Sequence, residues 1–204
     1  PPHGGSDDRG RRVTLWSGRF SDVPSKILWD YTADDIDRRL LPDDVRGSVA
    51  HVTMLGHVGL ITQSDTNEML GGLADISQEV NDGTFVFSDQ DEDVHSAVER
   101  RLIELIGQVG GKLHTGRSRN DQTALDIRLY LARMSEKRIG QLKGLALVMA
   151  ERADAVGEAI IPSFTHMQQA QAIPLAHHLL AYSWMFLRDA DRIKDASKRI
   201  KVSP

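Results

Sequence analysis

The fold class of this chain is decided by the stretch from Asp121 to Val156, DQTALDIRLYLARMSEKRIGQLKGLALVMAERADAV. Apolar residues recur in it at every third or fourth position and form one stripe that continues for about nine helical turns. The stripe consists of Leu125, Leu129, Ala132, Ile139, Leu142, Ala146, Met149, Ala153 and Val156. A helix of this length is typical of a bundle, a coiled coil or a repeat array. Because the sequence shows neither an internal repeat nor a strict heptad, we predict a bundle.

The segments on either side of this stretch are also predicted to be helical. No proline occurs between Pro42 and Pro162, and proline is the residue that most disrupts a helix interior. Pro162 is therefore expected to interrupt the helical pattern. Four further helices are expected, beginning near Pro42, Ser64, Val94 and Pro174.

Each predicted helix has an apolar face that we expect to be buried. The expected buried residues are Val45, Val49, Val52, Leu55 and Val58; Met69, Leu73, Ile76 and Val80; Val94, Val98 and Leu102; and Leu175, Leu179, Tyr182, Phe186, Ala190, Ile193 and Ile200. Asp43 or Asp44 is expected to cap the first helix. The strand-like triplet Phe85 to Phe87 is too short for a sheet, so the predicted fold class is all-α.

The segment that leads into the long helix, Gly110 to Thr123 (GGKLHTGRSRNDQT), is rich in hydrogen-bond donors. Its glycines allow the backbone to bend and to approach a ligand closely. The helix N-terminus behind it adds unpaired N–H groups and a partial positive charge. The segment is therefore a candidate anion site, although a solvated basic loop would have the same composition.

A second polar cluster lies between Pro162 and Pro174. It contains Thr165, His166, Gln168, Gln169 and Gln171, bordered by apolar residues. Buried amides need hydrogen-bond partners, and a histidine can carry a proton near neutral pH. The two polar clusters together suit the binding of a dicarboxylate and the movement of a proton, without naming a reaction.

Composition and missing motifs exclude several classes of function. The formal net charge of -4 argues against a nucleic-acid partner. The absence of cysteine excludes thiolate catalysis and cysteine metal sites. Phosphate-loop, zinc-protease, Gly-x-Ser-x-Gly and EF-hand patterns are absent. With no long apolar run and no signal-peptide pattern, we expect a cytoplasmic protein with no membrane partner.

Four segments in this order resemble the argininosuccinate lyase family. They are Leu15 to Phe20 (LWSGRF), Asp91 to His95 (DEDVH), Gly111 to Gln122 (GKLHTGRSRNDQ) and Thr165 to Gln171 (THMQQAQ). The resemblance runs from about Leu15 to the end of the chain, and the long third segment is highly specific. The wider superfamily includes fumarase, aspartase, adenylosuccinate lyase and the delta-crystallins of eye lens.

The resemblance implies a fold, an assembly and a reaction. The fold would be an all-α, long-helix bundle of the fumarase/aspartase superfamily type, in a homotetramer whose active sites each draw on three chains. The reaction would be the reversible β-elimination of argininosuccinate to arginine and fumarate, a step of arginine biosynthesis and of the urea cycle. The resemblance implies neither a metal nor an organic cofactor.

The resemblance also implies seven site residues. Thr165 and His166 are the expected catalytic residues, with Thr165 holding a carboxylate and His166 acting as the acid–base group that serves the leaving nitrogen. The expected substrate-binding residues are Ser118, Arg119, Asn120, His95 and Asp37. Among them, Ser118 and Asn120 are expected to bind the succinyl portion. From its position alone, His95 could equally be a capping or surface residue in the first turn of its helix.

The chain departs from the family pattern in two places. Ala33, in Tyr31-Thr32-Ala33, stands where the family usually carries a substrate-binding serine. The family's Gly-Ser-Ser-x-Met-Pro-x-Lys-x-Asn loop, which carries the serine thought to take the carbon-bound proton, is absent. We therefore expect a truncated, N-terminal portion of the enzyme that is inactive alone.

The polar, Gly- and Pro-rich composition of residues 1–12 predicts a disordered tail. The resemblance suggests an N-terminal helical domain over 13–114 and the first part of the central bundle over 115–204. Two other functions remain open. One is a non-catalytic structural protein like the delta-crystallins, and the other is a superfamily sibling such as adenylosuccinate lyase.

Overall fold

The computed structural model of this chain describes Ser25, Ile27, Leu28, Tyr31 and residues 35–89 and 91–204. The predicted tail over residues 1–12, the LWSGRF segment and the departure at Ala33 lie outside these residues.

Helices dominate the described part of the chain. The α-helices are α1 (Leu41–His57), α2 (Gln63–Asp82), α3 (Val94–Ile106), α4 (Arg119–Ala155) and α5 (Leu175–Ile200). Two 3₁₀ helices (Asp35–Leu40 and Gly107–His114) and two strands, β1 (Ile160–Thr165) and β2 (Gln168–Pro174), complete the elements. The all-α fold class is confirmed, and each predicted helix begins within a few residues of its expected position. None of these helices is both long and apolar enough to cross a membrane.

The chain divides into two compact units. The described residues up to Ile127 form the first unit, and Arg128–Pro204 form the second. The boundary falls inside α4, about one turn after the donor-rich segment. The expected division into residues 13–114 and 115–204 stays a prediction.

The core of the first unit lies among α1, α2 and α3. Its largest fully buried side chains are Leu55, Met69, Leu73, Ile76 and Leu102. The face predicted for α1 is partly wrong, because Val49 and Val58 are 37% and 56% exposed. The buried face of α1 starts at Leu41 and includes Ser48, so Val49 lies at its edge, whereas Val58 follows the end of the helix.

The caps of these helices explain where they begin and end. Thr62 and Asp65 form a reciprocal capping box at the start of α2, and Gly83 ends it in the left-handed conformation, with φ +68°. The expected capping of α1 by Asp43 or Asp44 is wrong. Leu40 is the residue at the N-cap, no side chain caps the helix, and both aspartates are buried in the unit.

The second unit contains most of α4, the hairpin and α5. Every residue of the predicted α4 stripe is buried or half-buried, with Ala146 and Ala153 the most buried. Ser183 of α5 donates a hydrogen bond to the Ala146 carbonyl at 2.9 Å, which ties the two helices together. Tyr182 was predicted to face inward but is 42% exposed, because the smaller Ser183 takes the inward position.

The β1–β2 hairpin is a feature that the sequence did not predict. The strands pair antiparallel, with Thr165 opposite Gln168 and an irregularity between Pro162 and Phe164. His166 and Met167 form the two-residue turn, with φ of +50° and +62°. Such turns favour Asn-Gly, and most residues of both strands are exposed, so neither the turn nor an apolar alternation gave a signal.

Candidate active site

Ser118 directly precedes Arg119, the first residue of α4, and caps the helix. The Ser118 hydroxyl accepts a hydrogen bond from the backbone N–H of Asn120, and the Asp121 carboxylate accepts one from the N–H of Ser118, both at 3.2 Å. This reciprocal arrangement gives hydrogen-bond acceptors to backbone N–H groups that have no partner within the helix at its start. Ser118 and Asn120 are both exposed. Two of the predicted substrate-binding residues therefore lie together at the positive end of α4.

Arg117 places a buried cation directly before this helix end. Its side chain is only 5% exposed, and one terminal nitrogen donates a weak hydrogen bond to Ser48 Oγ at 3.4 Å. The other, Nη2, lies 3.6 Å from Asp44 Oδ1 and has no hydrogen-bond partner among the described residues. Burial lowers the pKa of Arg117, and nearby carboxylates oppose that effect. Because an arginine stays protonated in proteins, this group offers a positive charge with an unused donor.

Arg119, another predicted substrate-binding residue, is engaged by the protein itself. Its Nε lies 3.1 Å from Asp93 Oδ2, and one terminal nitrogen donates to Gln122 Oε1 at 3.0 Å. Asp93 is the N-cap of α3, so Arg119 links the start of α4 to the start of α3.

His95 is buried at the centre of a polar network, which decides between the interpretations left open by the sequence. Its Nδ1 lies 2.9 Å from Asp44 Oδ1 and 3.2 Å from Asp126 Oδ2. Its Nε2 lies 3.2 Å from Thr123 Oγ1. Gln122 donates to the same Asp44 oxygen at 2.6 Å. Helices α1, α3 and α4 therefore meet at this imidazole, which is neither a cap nor a surface group.

The two carboxyl groups beside His95 have opposite pKa shifts. Burial acts to raise the pKa of Asp44, but hydrogen bonds from His95 and Gln122 and the charge of Arg117 outweigh it and lower that pKa. Burial, followed by the charge of Asp44, raises the pKa of Asp126 to about 8. The surroundings of the two carboxyl groups therefore favour the ionised form of Asp44 and the neutral form of Asp126.

Asp37 lies at the start of α3. Its Oδ2 accepts a hydrogen bond from the backbone N–H of Val94 at 2.9 Å, beside the N-cap Asp93. The structure thus gives this predicted substrate-binding residue a role in holding the 3₁₀ helix Asp35–Leu40 against α3.

Thr165 and His166, the predicted catalytic pair, belong to the second unit. Thr165 is the last residue of β1, and His166 is the first residue of the hairpin turn. Both are exposed, and the neighbouring Met167 is 94% exposed. The tip of the hairpin therefore presents the histidine outward, away from its own strands.

Asp44, His95 and Asp126 are the one group of acidic and histidine side chains in the described ranges that is close enough for a metal ion, with ligand atoms within 4.8 Å. Asp44 Oδ1 already accepts hydrogen bonds from His95 and Gln122, and the Arg117 cation lies 3.6 Å away. These protein donors supply what a cation would supply, so we do not assign the group as metal ligands.

Sequence reasoning missed that Asp44 and Asp126 are buried beside His95. Asp44 was expected to cap a helix, and Asp126 was not singled out at all. Their partner His95 is 51 residues from Asp44, so no local pattern joins them. The available signal was a polar residue, Asp126, next to the apolar stripe of a long helix, where a buried acid needs a partner.

The family pattern described as Lyase matches residues 18–204. Argininosuccinate lyase of Geobacillus kaustophilus is 44% identical over 191 residues, and that of Trichlorobacter lovleyi is 47% identical over 191 residues. Each alignment covers 93% of this chain and 42% of the relative. The chain thus spans about two fifths of the length of these curated relatives, and the resemblance to argininosuccinate lyase is confirmed.

Solved structures of related lyases have the same helical fold. A variant of EDDS lyase with bound fumarate matches with a TM-score of 0.69 and 28% identity, over 86% of this chain and 34% of that one. A fumarate lyase:delta crystallin from Brucella melitensis in native form matches with a TM-score of 0.67, over 84% of this chain and 45% of that one. Its 16% identity supports the fold alone. Because the family pattern covers nearly the whole sequence and the fold agrees, this chain belongs to the lyase family.

Proposed function

We propose that this chain is the N-terminal part of an argininosuccinate lyase, which splits argininosuccinate reversibly into arginine and fumarate. The observation that carries the proposal is the start of α4. There Ser118 and Asn120 are exposed at the positive end of a 37-residue helix, directly after the buried side chain of Arg117. This cluster lies within the sequence shared with argininosuccinate lyases at 44–47% identity.

The reaction requires strong stabilisation of negative charge. A base removes a proton from the carbon next to one succinyl carboxylate, and the electron pair left behind spreads onto that carboxylate. The C–N bond then breaks, a C=C bond forms, and the leaving nitrogen takes a proton. Donors fixed in place before the reaction stabilise such charge most effectively. The N-terminus of α4 is suited to this task.

Within this proposal, the exposed Asn120 amide and Ser118 bind the succinyl portion, and Arg119 fixes the position of that helix end. The Ser118 hydroxyl also accepts the hydrogen bond from the Asn120 N–H, so it positions the amide that it accompanies. His95 and Asp37 stabilise the same region. His95 contacts Asp44 in the buried network, and Asp37 accepts a hydrogen bond at the start of α3.

Thr165 and His166 complete the proposed chemistry. Thr165 would hold a substrate carboxylate, and His166 would give a proton to the leaving nitrogen. Their exposure at the tip of a hairpin suits insertion into a site shared with other copies of the chain. We infer a homotetramer in the cytoplasm as the working form, as the resemblance implies.

The 204 residues contain no Gly-Ser-Ser-x-Met-Pro segment, so the group proposed to take the carbon-bound proton is missing. We infer that the chain alone does not turn over substrate. A solved relative, the EDDS lyase variant, holds fumarate, and fumarate is one product of the reaction proposed here.

The decisive experiment uses the protein extended to the length of its relatives. Fumarate absorbance is followed with argininosuccinate, adenylosuccinate and aspartate as substrates. We expect turnover of argininosuccinate only. A preference for adenylosuccinate or aspartate would replace the proposed substrate. Absence of turnover with all three would favour the structural, delta-crystallin-like function.

A further inference from the structure

Asp44 and Asp126 are two buried carboxyl groups on either side of one imidazole nitrogen. Both side chains are fully buried, and His95 Nδ1 lies within 3.2 Å of each. We propose that Asp126 keeps a proton in the folded protein while Asp44 carries the negative charge, so that Asp126 is a neutral positioning residue that holds the His95 ring in place. This inference does not depend on the proposed function.

The donors around the two carboxyl groups are unequal. Asp44 Oδ1 accepts from His95 Nδ1 at 2.9 Å and from Gln122 Nε2 at 2.6 Å, and the Arg117 guanidinium lies 3.6 Å away. Asp126 has no such donors. Neither of its oxygens accepts a hydrogen bond from an N–H group of the described residues, although Oδ2 approaches the same Nδ1. A protonated Asp126 can instead donate a hydrogen bond to the Asp44 carboxylate. One N–H cannot serve both acceptors well, and the shorter contact is to Asp44.

The charges around Asp126 favour its neutral form. The titratable and charged groups that face it are Asp44 and Asp43 from α1, His95 from α3, and Arg117 from the segment before α4. Arg117 lies against Asp44, so its charge is largely compensated there. A second buried carboxylate without donors would carry the full cost of desolvation. Protonation removes that cost, in line with the raised pKa of Asp126.

This arrangement fixes the protonation of one side of His95. A carboxylate can only accept hydrogen bonds, so the Nδ1 that faces Asp44 must carry a proton. The other nitrogen, Nε2, is then directed at Thr123 Oγ1, one turn inside α4. The neutral carboxyl group of Asp126 packs 3.2 Å from Nδ1, where an ionised group would compete with Asp44 for the same N–H.

The test replaces each of the two carboxyl groups, in turn, with an amide of nearly the same shape. Asp126→Asn replaces a neutral acid with a neutral isostere, whereas Asp44→Asn removes a real charge from its donors. Urea unfolding of the 204-residue chain is followed from about pH 5 to about pH 8. We expect Asp44→Asn to lower the unfolding midpoint clearly, and Asp126→Asn to leave it near the wild-type value at the acidic end.

The pH dependence supplies a readout that packing alone would not change. In the wild type, Asp126 is protonated when folded and ionised when unfolded between about pH 4 and about pH 8, so its contribution to stability is lost as pH rises through that window. Asp126→Asn should lack this loss, and its midpoint should rise relative to wild type towards pH 8. Carboxyl ¹³C NMR of the wild-type chain should show one aspartate titrating near pH 8, and that signal should be missing in Asp126→Asn.

Three results would overturn the inference. They are equal losses of stability in the two variants, an unchanged pH dependence in Asp126→Asn, or an Asp126 carboxyl carbon that titrates near pH 4. The NMR titration needs only wild-type protein and its Asp126→Asn assignment variant, so it decides the matter even if Asp44→Asn does not fold.

Discussion

The Asp37 carboxylate accepts a hydrogen bond from the backbone N–H of Val94, 57 residues further along the chain, at 2.9 Å. Val94 is the first residue of α3, so this long-range contact adds a second acceptor to a helix start that already has Asp93 as its N-cap. A residue expected to bind substrate thus also holds together two elements of the first unit.

Replacing Asp37 with alanine should therefore lower stability as well as activity. Loss of a capping acceptor costs about 0.5–2 kcal/mol of the free energy of unfolding. Urea unfolding of the 204-residue chain measures this directly. Asp35→Ala is the matched control, because among the described residues the ion pair of Asp35 is with the exposed Arg38 on the same 3₁₀ helix. If Asp37→Ala matched Asp35→Ala in stability, the capping role would be wrong.

Gly110 and Gly111 provide a second matched pair. A Cβ added at Gly110 would lie 2.9 Å from the Ile103 backbone nitrogen, whereas one added at Gly111 would meet nothing within 4 Å. Gly110→Ala should therefore force backbone of α3 to move and cost about 1–3 kcal/mol. Gly111→Ala should change the urea midpoint little. Equal effects of the two substitutions would show that the 3₁₀ helix Gly107–His114 does not pack against α3 as described.

The second unit exposes many large apolar side chains. On α4 and α5 they include Leu131, Leu145, Leu147, Val148, Leu180, Trp184 and Met185. Exposed apolar area of this kind marks a surface that associates with another surface. We expect the 204-residue chain to self-associate at micromolar concentration and Leu147→Glu to weaken that association. A clean monomer of the unsubstituted chain in sedimentation velocity would contradict the prediction.

His166 lies in a turn that requires a positive φ, so the residue that replaces it must also be able to adopt a positive φ. Asparagine tolerates that conformation and cannot act as an acid–base group, which makes His166→Asn preferable to alanine. In the protein extended to the length of its relatives, we expect kcat to fall by about 10²–10⁴-fold. His177→Asn, at an exposed position of α5, should retain activity. A fully active His166→Asn enzyme would remove this histidine from the mechanism.

The helices could be predicted from the sequence because each has a strong apolar period and a residue that marks its start or its end. The α4 stripe is buried or half-buried at every predicted position, and α3 begins at Val94, as predicted. The hairpin could not be predicted, because His166-Met167 is an unusual turn and its strands expose most of their side chains. An apolar period in the sequence arises where one face of an element is buried. Most side chains of this hairpin are exposed, so its strands show no such period.

The candidate site was predictable only in part, for a related reason. The donor-rich segment is contiguous, so Ser118 and Asn120 could be recognised together at the start of α4. The Asp44–Gln122 contact joins residues 78 positions apart, and no local pattern reveals it. Gly110 was expected to let the backbone approach a ligand, but it lets the 3₁₀ helix approach the backbone of α3 instead.

In the proposed reaction, the start of α4 binds the succinyl carboxylate whose negative charge grows as the proton is removed. The most direct measurement is kcat/KM for argininosuccinate in Asn120→Ala of the extended protein, with Asn67→Ala, an exposed asparagine on α2, as its control. The helix cap uses the Asn120 backbone and not its side chain, so the variant should remain folded. We expect a loss of about 10²-fold or more for Asn120→Ala and none for Asn67→Ala. Equal activity of the two variants would show that the Asn120 side chain does not bind the succinyl carboxylate.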